Sequence, residues 1–88
     1  MTLSEVIEVL KAGQVPDYLY AVDSLGDGDC VGIAFTGGRW TTYFSERGAR
    51  VNVKEFDSEA AACAAFLADV AGSYEAYFGR KPDLHLNG

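Results

Sequence analysis

The residues of this chain that are equipped for chemistry are few, and they stand apart. The single histidine, His85, falls among the last four residues; Cys30 and Cys63 are far from each other; Asp23, Asp27 and Asp29 crowd into one short stretch. A catalytic base needs a rigid surround to hold its geometry. A chain terminus offers none, so His85 reads as a solvated residue of a tail, residues 83–88. With no second histidine, neither a Ser-His-Asp nor a Cys-His arrangement can be assembled. Two distant cysteines and one histidine fall short of the four ligands of a structural zinc site. They form no C-x-x-C pair and read as buried thiols, the usual state of free cysteine in a reducing compartment. One Cys30–Cys63 disulfide is the alternative.

The acidic stretch, Asp23-Ser24-Leu25-Gly26-Asp27-Gly28-Asp29, shares alternating carboxylates and glycines with calcium loops. It lacks the complete set of alternating oxygen ligands and the closing glutamate. Three readings remain: a solvated turn in which aspartate and glycine do ordinary turn work, an anionic contact surface for a basic partner, or, as the minor alternative, a calcium or small-ligand site centred on Asp23, Asp27 and Asp29. Asp27 and Asp29 as an acid–base pair have no pocket-forming companions. No glycine-rich phosphate loop of the G-x-x-x-x-G-K-[ST] or G-x-G-x-x-G type occurs. These residues predict a protein that is not an enzyme and takes no metal or cofactor. Its function is then binding.

Composition narrows the partner. Eighty-eight residues with 49% hydrophobic and 12% aromatic side chains can build one core, here assigned to a single domain, residues 1–82. The net charge of −6 has the wrong sign for nucleic acid, whose phosphates are met by lysine and arginine, and for an anionic membrane surface. No apolar run approaches the roughly 20 residues that span a bilayer. The opening Met1-Thr2-Leu3-Ser4-Glu5 argues against a signal peptide, so a cytoplasmic location is expected.

The elements that must position these residues follow from periodicity. Thr2 and Glu5 form a capping box, and Leu3, Val6, Ile7 and Leu10 recur at helical spacing, predicting a helix to Ala12 that Gly13 ends in the left-handed conformation. Four strands follow: Tyr18 to Val22, Cys30 to Phe35, Trp40 to Ser45 and Arg50 to Phe56. Glycine-rich turns between them predict an antiparallel meander. A two-residue primed turn at Gly37-Gly38 sets Phe35 opposite Trp40 and Val31 opposite Phe44. The next hairpin, closed by Arg47-Gly48 or by Glu46 to Ala49, sets Phe44 opposite Val51 and Thr42 opposite Val53.

One face then holds Val31, Ile33, Phe35, Trp40, Thr42, Phe44, Val51 and Val53 and is expected to be buried. The other holds Gly32, Ala34, Thr41, Tyr43, Ser45, Arg50, Asn52 and Lys54 and is expected to meet water. The inward face of the first strand stays open between Leu19 with Ala21 and Tyr18, Tyr20 with Val22. Asp57 is expected to cap a second helix with the apolar stripe Ala60, Cys63, Phe66, Leu67, Val70, Tyr74 and Tyr77. At about 30 Å it is longer than strands of about 20–24 Å, so it overhangs the sheet or bends at Gly72. The fold class is α+β: a four-stranded antiparallel meander flanked by an N-terminal and a longer C-terminal helix, both on one sheet face.

Two further contact patches emerge. Tyr43, placed opposite Gly32 where its ring can cover the glycine, stands with Arg50, Asn52 and Lys54. Glu46-Arg47-Gly48 tips the last hairpin, either as a solvated turn or as a polar contact. The candidate partner-binding residues are thus Asp23, Asp27, Asp29, Tyr43, Glu46 and Arg47.

Gly38-Arg39-Trp40, Tyr43, Ser45-Glu46-Arg47-Gly48, Phe56-Asp57-Ser58-Glu59-Ala60 and Cys63 resemble the core of small bacterial immunity proteins of polymorphic toxin systems. The matched part is about a third of the chain and carries no binding residue of the family. The resemblance implies a cytoplasmic inhibitor whose partner is a cognate toxin domain, such as a nuclease. An acidic inhibitor suits the basic substrate channel of such an enzyme. The alternative is a general interaction or regulatory module, homodimeric through its open sheet face or an edge strand.

Overall fold

The structure, a computed structural model, describes residues 1–23 and 29–84. The chain runs α1 (Leu3–Ala12), a 3₁₀ turn (Asp17–Leu19), β1 (Tyr20–Val22), β2 (Cys30–Thr36), β3 (Arg39–Glu46), β4 (Ala49–Phe56) and α2 (Glu59–Phe78). It is an α+β fold with one four-stranded sheet in the order β1-β2-β3-β4.

The sheet is mixed, where the sequence suggested a pure meander. β1 lies parallel to β2, with Tyr20 beside Val31 and Val22 beside Ile33. β1 and β2 are therefore not the two arms of the expected hairpin; the residues that join them, 24–28, lie outside the described residues. β1 is also shorter than expected, because Tyr18 belongs to the 3₁₀ turn.

The two glycine turns behave as their chemistry requires. Gly37 and Gly38 have φ of 61° and 79°, Arg47 and Gly48 of 52° and 79°, the primed geometry that matches the twist of paired strands. β2 and β3 pair in the expected register, Val31 with Phe44 and Phe35 with Trp40. Phe44 also meets Val51, but the register then slips and Thr42 pairs with Lys54 rather than Val53. A β-bulge at Asn52, whose φ is 52°, inserts the extra residue and exchanges the faces of everything after it. Val53 thereby becomes 53% exposed, and Phe56 comes to oppose Trp40. Phe35 departs as well: its ring stacks edge-on against Trp40 at 5.1 Å yet remains 55% exposed.

α2 lies on the sheet, and α1 packs on α2. Thr2 and Glu5 close the capping box on α1, and the Leu3 amide donates to the Glu59 carboxylate at 2.9 Å, tying the two helix starts together. Ser58, not Asp57, caps α2, its hydroxyl accepting from the Ala61 amide at 3.1 Å; Asp57 instead faces Arg39 at 3.4 Å. α2 runs unbroken through Gly72 to a left-handed Gly79, so it overhangs the sheet. Its buried side is Ala62, Cys63, Phe66, Leu67, Val70 and Tyr74; Ala60 and Tyr77 lie outside it. Val6, Leu10, Val31, Ile33 and Phe66 meet in one core. Leu19, Tyr20 and Val22 meet that core while Ala21 points to the other side and Tyr18 is exposed, so neither expected set holds whole, because the 3₁₀ turn breaks the alternation before Tyr20.

Gly13 ends α1 for a different reason than expected. Its φ is −80°, and the left-handed residue is Gln14, at 57°. A Cβ on Gly13 would lie 2.8 Å from the Asp83 carbonyl oxygen and 2.9 Å from Leu84 Cδ2. Glycine is needed because the C-terminal segment crosses there. Leu84 packs on the core.

Candidate partner-binding surfaces

The sheet face expected to meet water is buried along β2 and β3. Ala34, Thr41, Tyr43 and Ser45 are all at most 8% exposed. The face covers itself. The Tyr43 ring lies flat on Gly32, so close that a Cβ there would fall 2.1 Å from a ring carbon. The Arg50 guanidinium lies over that ring, 4.3 Å from its centroid, and the Thr41 hydroxyl donates to the Ala34 carbonyl at 3.2 Å. Tyr43 is thus a packing residue at 3% exposure, not an exposed anchor, and Arg50 is the group that this patch presents.

The acidic stretch is divided. Asp23 sits beside the middle of β2: its amide donates to the Ile33 carbonyl at 2.9 Å and its carboxylate accepts from the Phe35 amide at 3.3 Å. Asp29 sits at the start of β2, where its carboxylate accepts from the Arg47 amide at 3.4 Å. Asp27 lies outside the described residues, as does His85. Among the described residues no group of three acidic, histidine or cysteine side chains is placed to hold a metal ion. Of the six candidate residues the structure brings together Asp29, Glu46 and Arg47, all exposed, at one end of the sheet. Asp23 stands away from them along the strand.

Charge divides along the same line. The β3–β4 hairpin, residues 39–56, carries four of the seven basic residues, Arg39, Arg47, Arg50 and Lys54, against only two of the thirteen acids. All other described acids are exposed except Glu59, which is half-buried. An acidic body therefore bears one basic strand pair. Arg39 is partly neutralised by Glu55 and Asp57, at 3.6 and 3.4 Å.

A third surface had no place among the candidate residues. At the overhanging end of α2, Tyr77 is 68% exposed, Tyr18 55% and Phe78 41%. Their rings are continuous: Tyr18 and Tyr77 lie 5.9 Å apart, Tyr77 and Phe78 5.4 Å, Phe78 and Tyr74 4.6 Å. The Arg80 guanidinium stands 5.6 Å from the Tyr74 ring centroid. The sequence did hold a signal for it, the excess length of α2 over the strands. Aromatic residues at that end pack on one another and on Tyr18, and stay exposed.

Glu5, Tyr20 and Cys63 depart from ordinary titration for structural reasons. The Thr2 amide and hydroxyl hold the Glu5 carboxyl below its usual range. Burial pushes the Tyr20 phenol and the Cys63 thiol up, and no disulfide joins Cys30 to Cys63. No helix among the described residues is long and apolar enough to cross a membrane. No family model, curated protein or solved structure matches this chain.

Proposed function

We propose that the chain is a binding protein without catalysis of its own, an immunity protein that neutralises a toxin domain by tight association. The observation that carries this reading is the division of charge. A body with eleven acids and three bases, outside a hairpin of four bases and two acids, attracts a basic protein and also orients it. Such complementarity raises association rates well above those of uncharged pairs and suppresses wrong partners. The tip formed by Asp29, Glu46 and Arg47 lies at the boundary between the two charges and supplies groups of both signs. The resemblance of residues 38–63 to immunity proteins supplies the class of partner, with a nuclease domain as the type whose basic channel fits best.

The test is affinity capture of the tagged chain from extracts of the source organism, with mass spectrometry of what is retained. The expected result is one stoichiometric basic domain from a large secreted protein. Its affinity should fall as ionic strength rises, and Asp29→Lys with Glu46→Lys should weaken binding and flatten that dependence. A salt-independent complex, or one indifferent to both substitutions, contradicts the reading.

A further inference from the structure

We propose that the groove between α2 and the bulged part of β4 binds a small zwitterion with an apolar side group, a free α-amino acid such as phenylalanine. The groove holds about 470 Å³ and is lined by Val31, Phe44, Asn52, Lys54, Asp69 and Ser73 among others, within the size range of small-ligand sites. Val31 is buried and Phe44 half-buried, which gives the groove an apolar floor. Lys54 on β4 and Asp69 on α2 are exposed at its sides, and Ser73 follows Asp69 by one helical turn. Neither Lys54 nor Asp69 has an ion-pair partner among the described residues. Both charges are open to a ligand.

The bulge is what brings the lysine there. Thr42 lies on the core side of the sheet, 1% exposed and opposite Ile33. An unbroken ladder would set Val53 against it, and the bulge at Asn52 sets Lys54 there instead. Val53 is left 53% exposed, so the fold gives up burial of a valine to turn a charge inward. Bulges re-aim side chains beside functional sites, and a local rule broken against stability points to function. An inward lysine also guards an edge strand against pairing, but that gives no role to Asp69 and Ser73 on the helix.

Charge selects the ligand. A chain of net charge −6 repels a simple anion. Lys54 repels a simple cation, which has exposed carboxylates elsewhere on the chain to pair with. A zwitterion meets neither obstacle. Its carboxylate faces Lys54, its ammonium faces Asp69 and the Ser73 hydroxyl, and its side group lies on Phe44 and Val31. Because both charged side chains stand in water, each contact is weak, and the dissociation constant is expected between about 0.1 and 10 mM.

This site is separate from the tip of Asp29, Glu46 and Arg47, and its test needs no toxin domain. The amide resonances of the isotope-labelled full chain are followed as L-phenylalanine is added to about 20 mM. Saturable shifts are expected at Asn52, Lys54, Asp69 and Ser73. Phenylpropionate lacks the ammonium and phenethylamine lacks the carboxylate, so each should bind at least about 10-fold more weakly. Lys54→Met and Asp69→Asn should each weaken L-phenylalanine by a similar factor while keeping the wild-type melting temperature, since both side chains are exposed. Shifts that do not saturate, that fall elsewhere, or that ignore both substitutions overturn the proposal. So does equal binding of phenylpropionate, which makes the groove an anion site. A Lys54→Met chain that binds L-phenylalanine normally but self-associates also overturns it, by assigning the lysine to guarding the edge.

Discussion

β2 and β4 flank the same strand and satisfy the same kind of hydrogen-bond ladder, yet their surroundings are opposite. β2 is buried through its first five residues, Cys30 to Ala34, on both faces. β4 is exposed at six of its eight positions. The difference lies in side chains. β2 alternates apolar residues toward α2 with Gly32 and Ala34 on the far side, where the Tyr43 ring lies on Gly32 and Thr41 pairs with Ala34. β4 carries Arg50, Asn52, Lys54 and Glu55 and a bulge that bends it. Charge, a lysine and a bulge are the devices by which an edge strand avoids pairing with another edge. One strand is invested in folding; the other is left open and charged.

That comparison has consequences of graded size. Phe66 is fully buried in the core against which β2 packs, so Phe66→Ala should cost about 3–5 kcal/mol. Val53→Ser on β4, at an exposed position, should stay within about 0.5 kcal/mol. Denaturant unfolding of both variants checks the contrast, and comparable losses would break it. Gly32→Ala comes next. The new methyl overlaps the Tyr43 ring and should cost about 1–3 kcal/mol. Tyr43→Ala in the same chain should recover part of that loss in a double-mutant cycle, which isolates the ring as the cause.

The smallest effect is in alkali. Burial holds the Cys63 thiol above its ordinary 9.0, and Tyr20 above its ordinary 10.0. The unfolded chain loses those protons first, so the stability they contribute is complete below the ordinary values and declines as pH rises through the folded ones. Melting temperatures measured upward from neutral pH should fall past pH 9, and Cys63→Ala should flatten the first part of that fall relative to its own neutral-pH value.

Much of this fold was legible in the sequence because it is written in local chemistry. Paired glycines at residues 37–38 and Arg47-Gly48 specify primed turns, and those turns fix a register that hydrophobic alternation confirms at Val31, Ile33 and Phe44. Thr2 with Glu5 and the stripe from Cys63 to Tyr74 specify helices in the same way. What was missed depends on contacts far apart in the chain. The parallel pairing of β1 is decided by docking beside β2, not by the residues between them. The bulge at Asn52 has no short signature, since asparagine takes a left-handed φ only when the partner strand makes it useful. The burial of the far sheet face rests on Tyr43, Arg50 and Gly32, three residues from three strands. Of the candidate contact residues, Asp29, Glu46 and Arg47 converge as a surface, Asp23 and Tyr43 serve the backbone and the packing, and the ring cluster at Tyr77 followed only from the length of α2.

Neutralisation of a toxin domain is decided by protection in living cells. The basic domain retained by affinity capture is expressed alone and together with this chain, and growth is followed. The account predicts that the domain alone stops growth, that co-expression restores it, and that Asp29→Lys with Glu46→Lys erodes the rescue. A retained domain that is harmless alone, or that kills equally with the chain present, contradicts it.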